Sequence, residues 1–558
     1  MLAAIRGDAA DRELFAIAAD LVRRHGVQSD SDLGPLLDSP PPADPNLLRR
    51  LQHMYDAGAW VLLESAIADL PADLRWLYES DAVSIEQLAA IHRALGLTSL
   101  TDLTLATDLH EVRALAGMSE SVEAAIRTAL PSLRANLPRI PLGRAADVAD
   151  PLLIQLKATP GVAWTSTAGS LRRGQDTVGD VELVAAADNP DAAIDALAQL
   201  PEVSRCLHRG SRRLYLLFER VQVGVRFPTE RSAPATLLML TGNRTHTTAL
   251  RSIADNAGLR LTVDGLFGAD GAQLPCATEE DIYRALGLPF IPPEIRNGNE
   301  ELQRGASGSL PTLVTRGDIR GDLHMHTLWS DGRDTVAAMV DRCAALGYEY
   351  MAITDHSPHS SASRNLTIDG IKRQADEIDN VRGRYKTMTI LHGCEADILA
   401  DGTLDFPDRV LERFDIVLAS LHDAAGHSPD QLMRRYVAAM NHPLVTIITH
   451  PTNRLVPYRR PYDLDYDRLF ETAVATGTVL EIDGAPAHLD MDGALARRAI
   501  DAGVMVSIDS DSHRAEMLDR QMELGLTTAR RGWVEPCHVV NTRPLADVRA
   551  LIDAKRRR

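Results

Sequence analysis

The C-terminal half of this chain carries a repeat that leaves few folds open. Seven short apolar runs rich in β-branched residues occur there: DIRGDLHMH, YEYMAITDH, MTILHGCEAD, FDIVLASLH, LVTIITHP, TVLEIDGA and VMVSIDSDSH. Most are separated by helix-like segments such as TVAAMVDRCAALG. Regular strand–helix alternation needs a parallel sheet with crossover helices, and this repeat number predicts a barrel of about seven strands. Six of the seven runs end in, or are followed at once by, His, Asp or Glu. In such barrels the chemistry sits at the C-terminal ends of the strands.

The polar residues at those ends form a pattern. His324 and His326 are one residue apart, so on an extended strand they share a face while Met325 points away. Asp331, His356, Glu395, His422, His450, Asp511 and His513 complete a set of nine donors at the same end of the repeat. A single histidine ending an apolar strand is ordinarily a hydrogen-bonded core residue, but nine donors in register point to metal. Six imidazoles with three carboxylates suit zinc, manganese or iron. Nine exceeds what one tetrahedral ion can use, so two or three divalent ions are expected, with Glu395 as the bridge because its two oxygens can reach different ions. Clustered cations grip phosphate oxygens and activate water near neutral pH, which is the chemistry of phosphoester hydrolysis. Asp331 and His513 are placed to protonate a leaving oxygen, so Glu395, Asp331 and His513 are the candidate catalytic residues.

Composition sets the remaining limits. A chain of 558 residues is too long for one core, and two to four domains are expected. The formal net charge of −18 argues against whole-surface attraction to nucleic acid or anionic lipid, so a polyanion must be held by a local basic patch or by metals. Five scattered cysteines match neither a disulfide framework nor a zinc knuckle. The start, MLAAIRGDAADREL, meets acid too early for a secretory signal, and no apolar run approaches about 18 residues, so a cytoplasmic protein without membrane attachment is predicted. No protein partner can be predicted. Residues 1–145 carry helical periodicity broken by DSPPPADPN, and residues 146–296 mix short strands with helices. The polar, glycine-rich stretch beginning NGNEELQRGASGSLP makes 297–316 the linker to a barrel over 317–558.

The motifs DLHMHTLWSDG, AITDHS, GCEADIL, ASLH, THPTNRL and DSDSH resemble the polymerase-and-histidinol-phosphatase (PHP) domain, in the version attached to bacterial family-X DNA polymerases. The resemblance covers about residues 317 to 558, and the nine donors match the family's ligand positions one by one. It implies a distorted seven-stranded β/α barrel with a trinuclear metal site. The activity it implies is phosphoester hydrolysis at DNA 3′ ends during repair, as a 3′→5′ exonuclease or 3′-phosphatase on gapped or 3′-ended DNA. Arg364 and Arg454 are candidates for bidentate phosphate contacts. His359 reads as a loop residue, and Asp483 is assigned no role.

The front half resembles family-X polymerase modules with parts altered. AGSLRRGQDTVGDVELV is similar to the family's nucleotidyltransferase signature, placing a Gly-Ser turn at Gly169 and Ser170, basic residues at Arg172 and Arg173, and the magnesium carboxylates at Asp180 and Glu182. The family has Asp twice, and magnesium tolerates little deviation from octahedral geometry. Where the family carries its third carboxylate this chain has Gly224. LTGNRTHTTALR and DGLF resemble the nucleotide-pocket helix and thumb. The helix-hairpin-helix resemblance shows ESDAVS where a Gly-x-Gly hairpin would sit, and a second copy keeps Gly117 but has Ser119 at the next glycine position. The expectation is a retained palm and thumb fold with a degenerate nucleotidyltransferase site. Two alternatives stay open: a small-molecule phosphomonoesterase of histidinol-phosphatase type, and a weak gap-filling polymerase.

Overall fold

A computed structural model describes residues 83, 85–97, 100–136, 139–219, 221–360, 364–422 and 426–558, and divides the chain into two compact units. The loop DSPPPADPN and nearly all of the first hairpin candidate lie outside the described residues. One unit comprises residues 1–138, 159–161 and 189–227. Its described part contains helices Ile85–Leu95, Leu100–Asp108 and Glu120–Asn136, and an antiparallel meander of Val203–Arg209, Arg213–Phe218 and Val221–Arg226. At the second hairpin candidate Gly117 has φ +77°. Ser119 does not act as a hinge glycine there: its Oγ accepts from the Val122 N–H and caps the following helix. Buried Glu123 fastens the loop by accepting from Arg113 Nε at 2.7 Å and from the Arg113 backbone at 3.1 Å.

The second unit comprises residues 139–158, 162–188 and 228–558, and its larger part is the barrel. The seven apolar runs become seven parallel strands: β1 Gly321–Asp322, β2 Tyr350–Ile353, β3 Thr389–Asp397, β4 Ile416–Ser420, β5 Val445–Ile448, β6 Val479–Asp483 and β7 Val506–Asp509. Their spatial order is their chain order. The ring closes beyond β1 and β7, where His326 N donates to Ser512 O at 2.9 Å and Asp511 N to His324 O at 3.0 Å. Five crossover helices start on side-chain caps, namely α1 Val336–Ala345 on Thr335, α2 Ile368–Arg382 on Thr367, α3 Pro429–Asn441 on Ser428, α4 Tyr466–Thr476 on Asp465 and α5 Gly493–Asp501 on Asp492. Helices α6 Leu518–Arg531 and α7 Leu545–Arg556 complete the barrel.

Strand alternation divides the apolar residues between two cores. Met351, Ile353, Ile390, Val417 and Ile448 pack with the surrounding helices. Tyr350, Ala352, Leu391, Leu418 and Ile447 form a second cluster that includes Val548 and Ile552 of α7. With one end of the barrel filled by this apolar plug, the polar strand ends are left to the other.

Two of the expected boundaries fall in segments with long-range contacts. The segment 297–316 is no free tether. Glu301, 1% exposed, accepts from His246 Nδ1 at 2.7 Å and from the Gly298 and Asn299 amides, and Val314 N donates to Val534 O at 2.9 Å. Of residues 146–296, 159–161 and 189–227 fall in the first unit and the rest in the second. Asp176 accepts from Arg454 Nη1 at 2.8 Å and also pairs with Arg531. A Cβ on Gly174 would overlap the Thr527 methyl group, so the backbone lies directly on α6.

Candidate metal centre

Each donor is delivered by the end of a strand. Regular pairing in β1 stops at Asp322, but the chain stays extended: His324 and His326 bring their Nε2 atoms to 3.1 Å while Met325 is buried in the helix-side core. Asp331 comes from a loop that folds back on the His326 backbone at Gly332, where a Cβ would stand 2.6 Å from the His326 carbonyl carbon. His356 follows β2, Glu395 lies in β3, His422 follows β4, His450 follows β5, and Asp511 and His513 follow β7. His450 and Asp511 have φ of +27° and +49°, conformations that side-chain-bearing residues rarely hold unless their surroundings impose them.

All nine side chains converge, with Glu395 at the hub. Its Oε2 is 2.7 Å from His356 Nδ1, 3.5 Å from His324 Nε2 and 3.6 Å from His326 Nε2. Its Oε1 is 2.9 Å from His450 Nε2 and 3.5 Å from His422 Nε2. Asp511 Oδ1 is 3.0 Å from His326 Nε2, and Asp331 Oδ1 is 3.2 Å from His513 Nε2 and 3.5 Å from His356 Nε2. Three overlapping groups have donor atoms within 4.8 Å of one another: His326 with Asp331, His356 and His513; His324 with His326 and Asp511; and His356 with Glu395 and His422.

The chemistry of these atoms fits divalent cations. Glu481 accepts from His324 Nδ1 at 2.7 Å and Asp397 accepts from His422 Nδ1 at 2.9 Å. A carboxylate can only accept, so each pair leaves the imidazole Nε2 as a lone pair aimed at the centre, the arrangement usual behind metal-ligating histidines. Glu395 Oε2 and His356 Nδ1 are in close contact, yet neither has a hydrogen bond among the described residues; the same holds for Asp331 Oδ1, His326 Nδ1 and His450 Nδ1. Burial opposes ionisation of Glu395 and Asp511, but the surrounding imidazoles hold both well below the usual carboxylate range. Against burial, Glu395 pushes His450 up to about 9 and Asp331 does the same for His513. Burial with His356 and His513 pushes His326 down to about 3. Closely packed lone pairs and ionised carboxylates therefore make a site that gathers positive charge.

The centre opens into a cavity of about 540 Å³. Arg333, Arg514 and His488 line it beside the predicted donors, and the sequence reading passed over all three. Arg333 and Arg514 adjoin predicted donors in the chain, and that adjacency was the available signal. The outer carboxylates Glu481, inside β6, and Asp397, the last residue of β3, were missed too, since nothing local separates either from a structural acid. Asp483 is fully buried at the end of β6, where its Oδ1 accepts from Ala485 N. Arg364 is exposed and does not line the cavity. Arg454 is 6% exposed, with its donors directed to Asp176 and to the carbonyls of His488 and Leu489.

Comparison with known proteins agrees with this architecture. The DNA polymerase beta thumb model matches residues 236–297 and the PHP domain model residues 322–454. Over 506 residues the chain is 36% identical to the DNA polymerase/3′-5′ exonuclease PolX of Bacillus subtilis, spanning 90% of this chain and 88% of that protein. The chain belongs to the PolX family. Over about a third of its length it is also similar to proteins named as probable phosphatases: one from Syntrophotalea carbinolica, 31% identical over 35% of this chain and 80% of that protein, and one from Caldanaerobacter subterraneus, 30% identical over 34% and 75%.

The second PolX-type site is less complete. Val162–Thr167 pairs antiparallel with Val181–Ala187, which carries Glu182 fully buried, while Asp180 immediately precedes that strand and is half-buried. Gly169, at φ +60°, turns the chain so that an added Cβ would sit 3.6 Å from Glu182 Cβ, and Ser170 follows on a short helical turn. Arg172 makes a bidentate pair with buried Glu279 at 2.9 and 2.6 Å, and Arg173 donates to Thr241 O at 2.7 Å. Arg172 thus has a structural partner. Gly224, in the first unit, pairs with Tyr215 in the meander.

Proposed function

We propose that this chain is a metal-dependent phosphoesterase that acts on the 3′ ends of DNA, as a 3′→5′ exonuclease or 3′-phosphatase in repair. The observation that carries the reading is the clustering of nine donor side chains, from six of the seven strand ends, around Glu395, with Asp331, His356, His422, His450, Asp511 and His513 lining one open cavity. His324, His326, Asp331, His356, Glu395, His422, His450, Asp511 and His513 would hold two or three manganese, zinc or iron ions, with Glu395 as bridge. Bound there, the ions supply charge neutralisation for the phosphate and an activated water. Arg333 and Arg514 orient the phosphate at the mouth. His513, its side chain about a third exposed and paired with Asp331, stands nearest solvent to give a proton to the leaving oxygen. The exonuclease in the name of the Bacillus relative and the phosphatase in those of the shorter relatives both support hydrolysis of phosphate esters.

The front half then serves to position DNA without adding nucleotides. Glu182 in place of Asp and Gly224 in place of a carboxylate leave magnesium poorly held at Asp180. A cytoplasmic location is supported by the five free cysteines, and no helix among the described residues is long and apolar enough to cross a membrane. The test is metal analysis of the purified protein together with turnover of a single-nucleotide-gapped duplex by wild type, Glu395→Ala and Asp180→Ala. Loss of bound metal and of nucleotide release in the first variant, with indifference in the second, is expected. Absence of manganese-dependent release from wild type would end the DNA reading.

A second reading, hydrolysis of a small phosphomonoester, draws support from the probable phosphatases. A panel of phosphate monoesters against labelled oligonucleotides separates the two by kcat/KM.

A further inference from the structure

Tyr458 is the most exposed of the large hydrophobic side chains among the described residues, at 86%. It sits on a loop at 455–461 that starts five residues after His450 in the chain. The loop is held in shape. Leu455 and Arg459 exchange backbone hydrogen bonds at 2.9 and 2.7 Å, and Val456 N donates to Ala487 O at 2.7 Å. Arg459 Nε donates to Asn453 O at 2.6 Å, and Asn453 Nδ2 donates to Leu421 O at 3.2 Å. These anchors adjoin His450, His488 and His422, three histidines that line the cavity. Arg460, two residues further along the loop, is exposed as well.

An aromatic ring held in water on a braced hairpin has no packing duty. Its position suits a flat partner carrying negative charge. In a chain of net charge −18, the cavity rim instead presents Arg333 and Arg514, with Arg460 on this loop. Unpaired bases offer open faces, and stacking on an aromatic with an arginine nearby is how single strands are held without sequence preference. We propose that Tyr458, with Arg460 on the same loop, is a stacking platform for a base of the single-stranded 3′ segment whose end enters the metal cavity. The proposal rests on the phosphoesterase reading and adds the form in which DNA is presented.

The experiment uses the full chain with manganese, in wild type, Tyr458→Ala and Tyr458→Trp. Its substrates are a single-stranded oligonucleotide with 2-aminopurine near the 3′ end and the small diester bis(p-nitrophenyl) phosphate. In Tyr458→Ala, KM for the oligonucleotide should rise about tenfold and quenching of 2-aminopurine should be lost. Turnover of the small diester should be unchanged, and Tyr458→Trp should behave as wild type. The platform is overturned if Tyr458→Ala matches wild type on the oligonucleotide, or if it loses as much on the diester. Should wild type turn over neither substrate, the phosphoesterase reading fails, while the quenching titration still decides whether a base stacks on Tyr458.

Discussion

At the scale of single residues, the donors matter no more than the groups that orient them. Asp397, 2% exposed, accepts from His422 Nδ1 and so selects the tautomer that points a lone pair at Glu395. Asp397→Asn should lower metal affinity about 10- to 100-fold with little change in secondary structure, as read by competitive titration against a metal indicator. His392 illustrates the opposite use of an imidazole. It lies on β3, hydrogen-bonded to Gln374 at 2.9 Å, and burial pushes it down to about 4 despite the attraction of Asp415. Its neutral form is the one the fold accepts. Its contribution is therefore complete above the ordinary value of 6.5 and declines as pH falls from there to about 4. Wild type should lose about 3 kcal/mol across that window relative to His392→Gln, measured by urea denaturation at each pH. Both histidines looked alike in the sequence, because each ends or interrupts an apolar run, and only their neighbours across the barrel distinguish them.

At the scale of elements, much was legible. The β-branched runs, the Ser, Thr and Asp caps, and the 3.6-residue periodicity between them are local signals, and β1 to β7 follow them in order. The loops were not legible, because their course depends on what they touch. The turn after His326 is the clearest example. Gly332 packs against the His326 and Thr327 backbone, with room for hydrogen alone, and this contact brings Asp331 to His356 and His513. Gly332→Ala should cost about 1–3 kcal/mol in thermal stability and should displace Asp331. Metal titration of the variant should then show weakened binding at the His356–His513 side, while Glu395 still binds. The stretch at 297–316 misled for the related reason that polar, glycine-rich composition fits a tether and a packed strap equally well. His246 and the Glu301 carboxylate make it the latter.

At the scale of the whole molecule, Asp176 shows how distant parts of the chain come to share one unit. It stays ionised because Arg531 and Arg454 outweigh its burial, and it ties the palm-like segment at 162–188 to the barrel. Asp176→Ala takes from Arg531 its carboxylate partner and from Arg454 the nearer of two, Asp492 at 3.6 Å remaining, and should destabilise this unit by about 3 kcal/mol, seen as a lower denaturation midpoint. A midpoint equal to wild type would remove the pair from any structural role. The sequence by itself determined the barrel and its strand–helix alternation and singled out the nine donors, since strand period and ligand type are both written within a few residues of each other. Only the tertiary structure decided that Arg454 faces Asp176, that Arg333 and Arg514 line the mouth, and that Glu481 and Asp397 stand behind the histidines. Those assignments join residues far apart in the chain, which no local pattern encodes, and for His324 and Glu481 closure of the ring is what brings the two within hydrogen-bond reach.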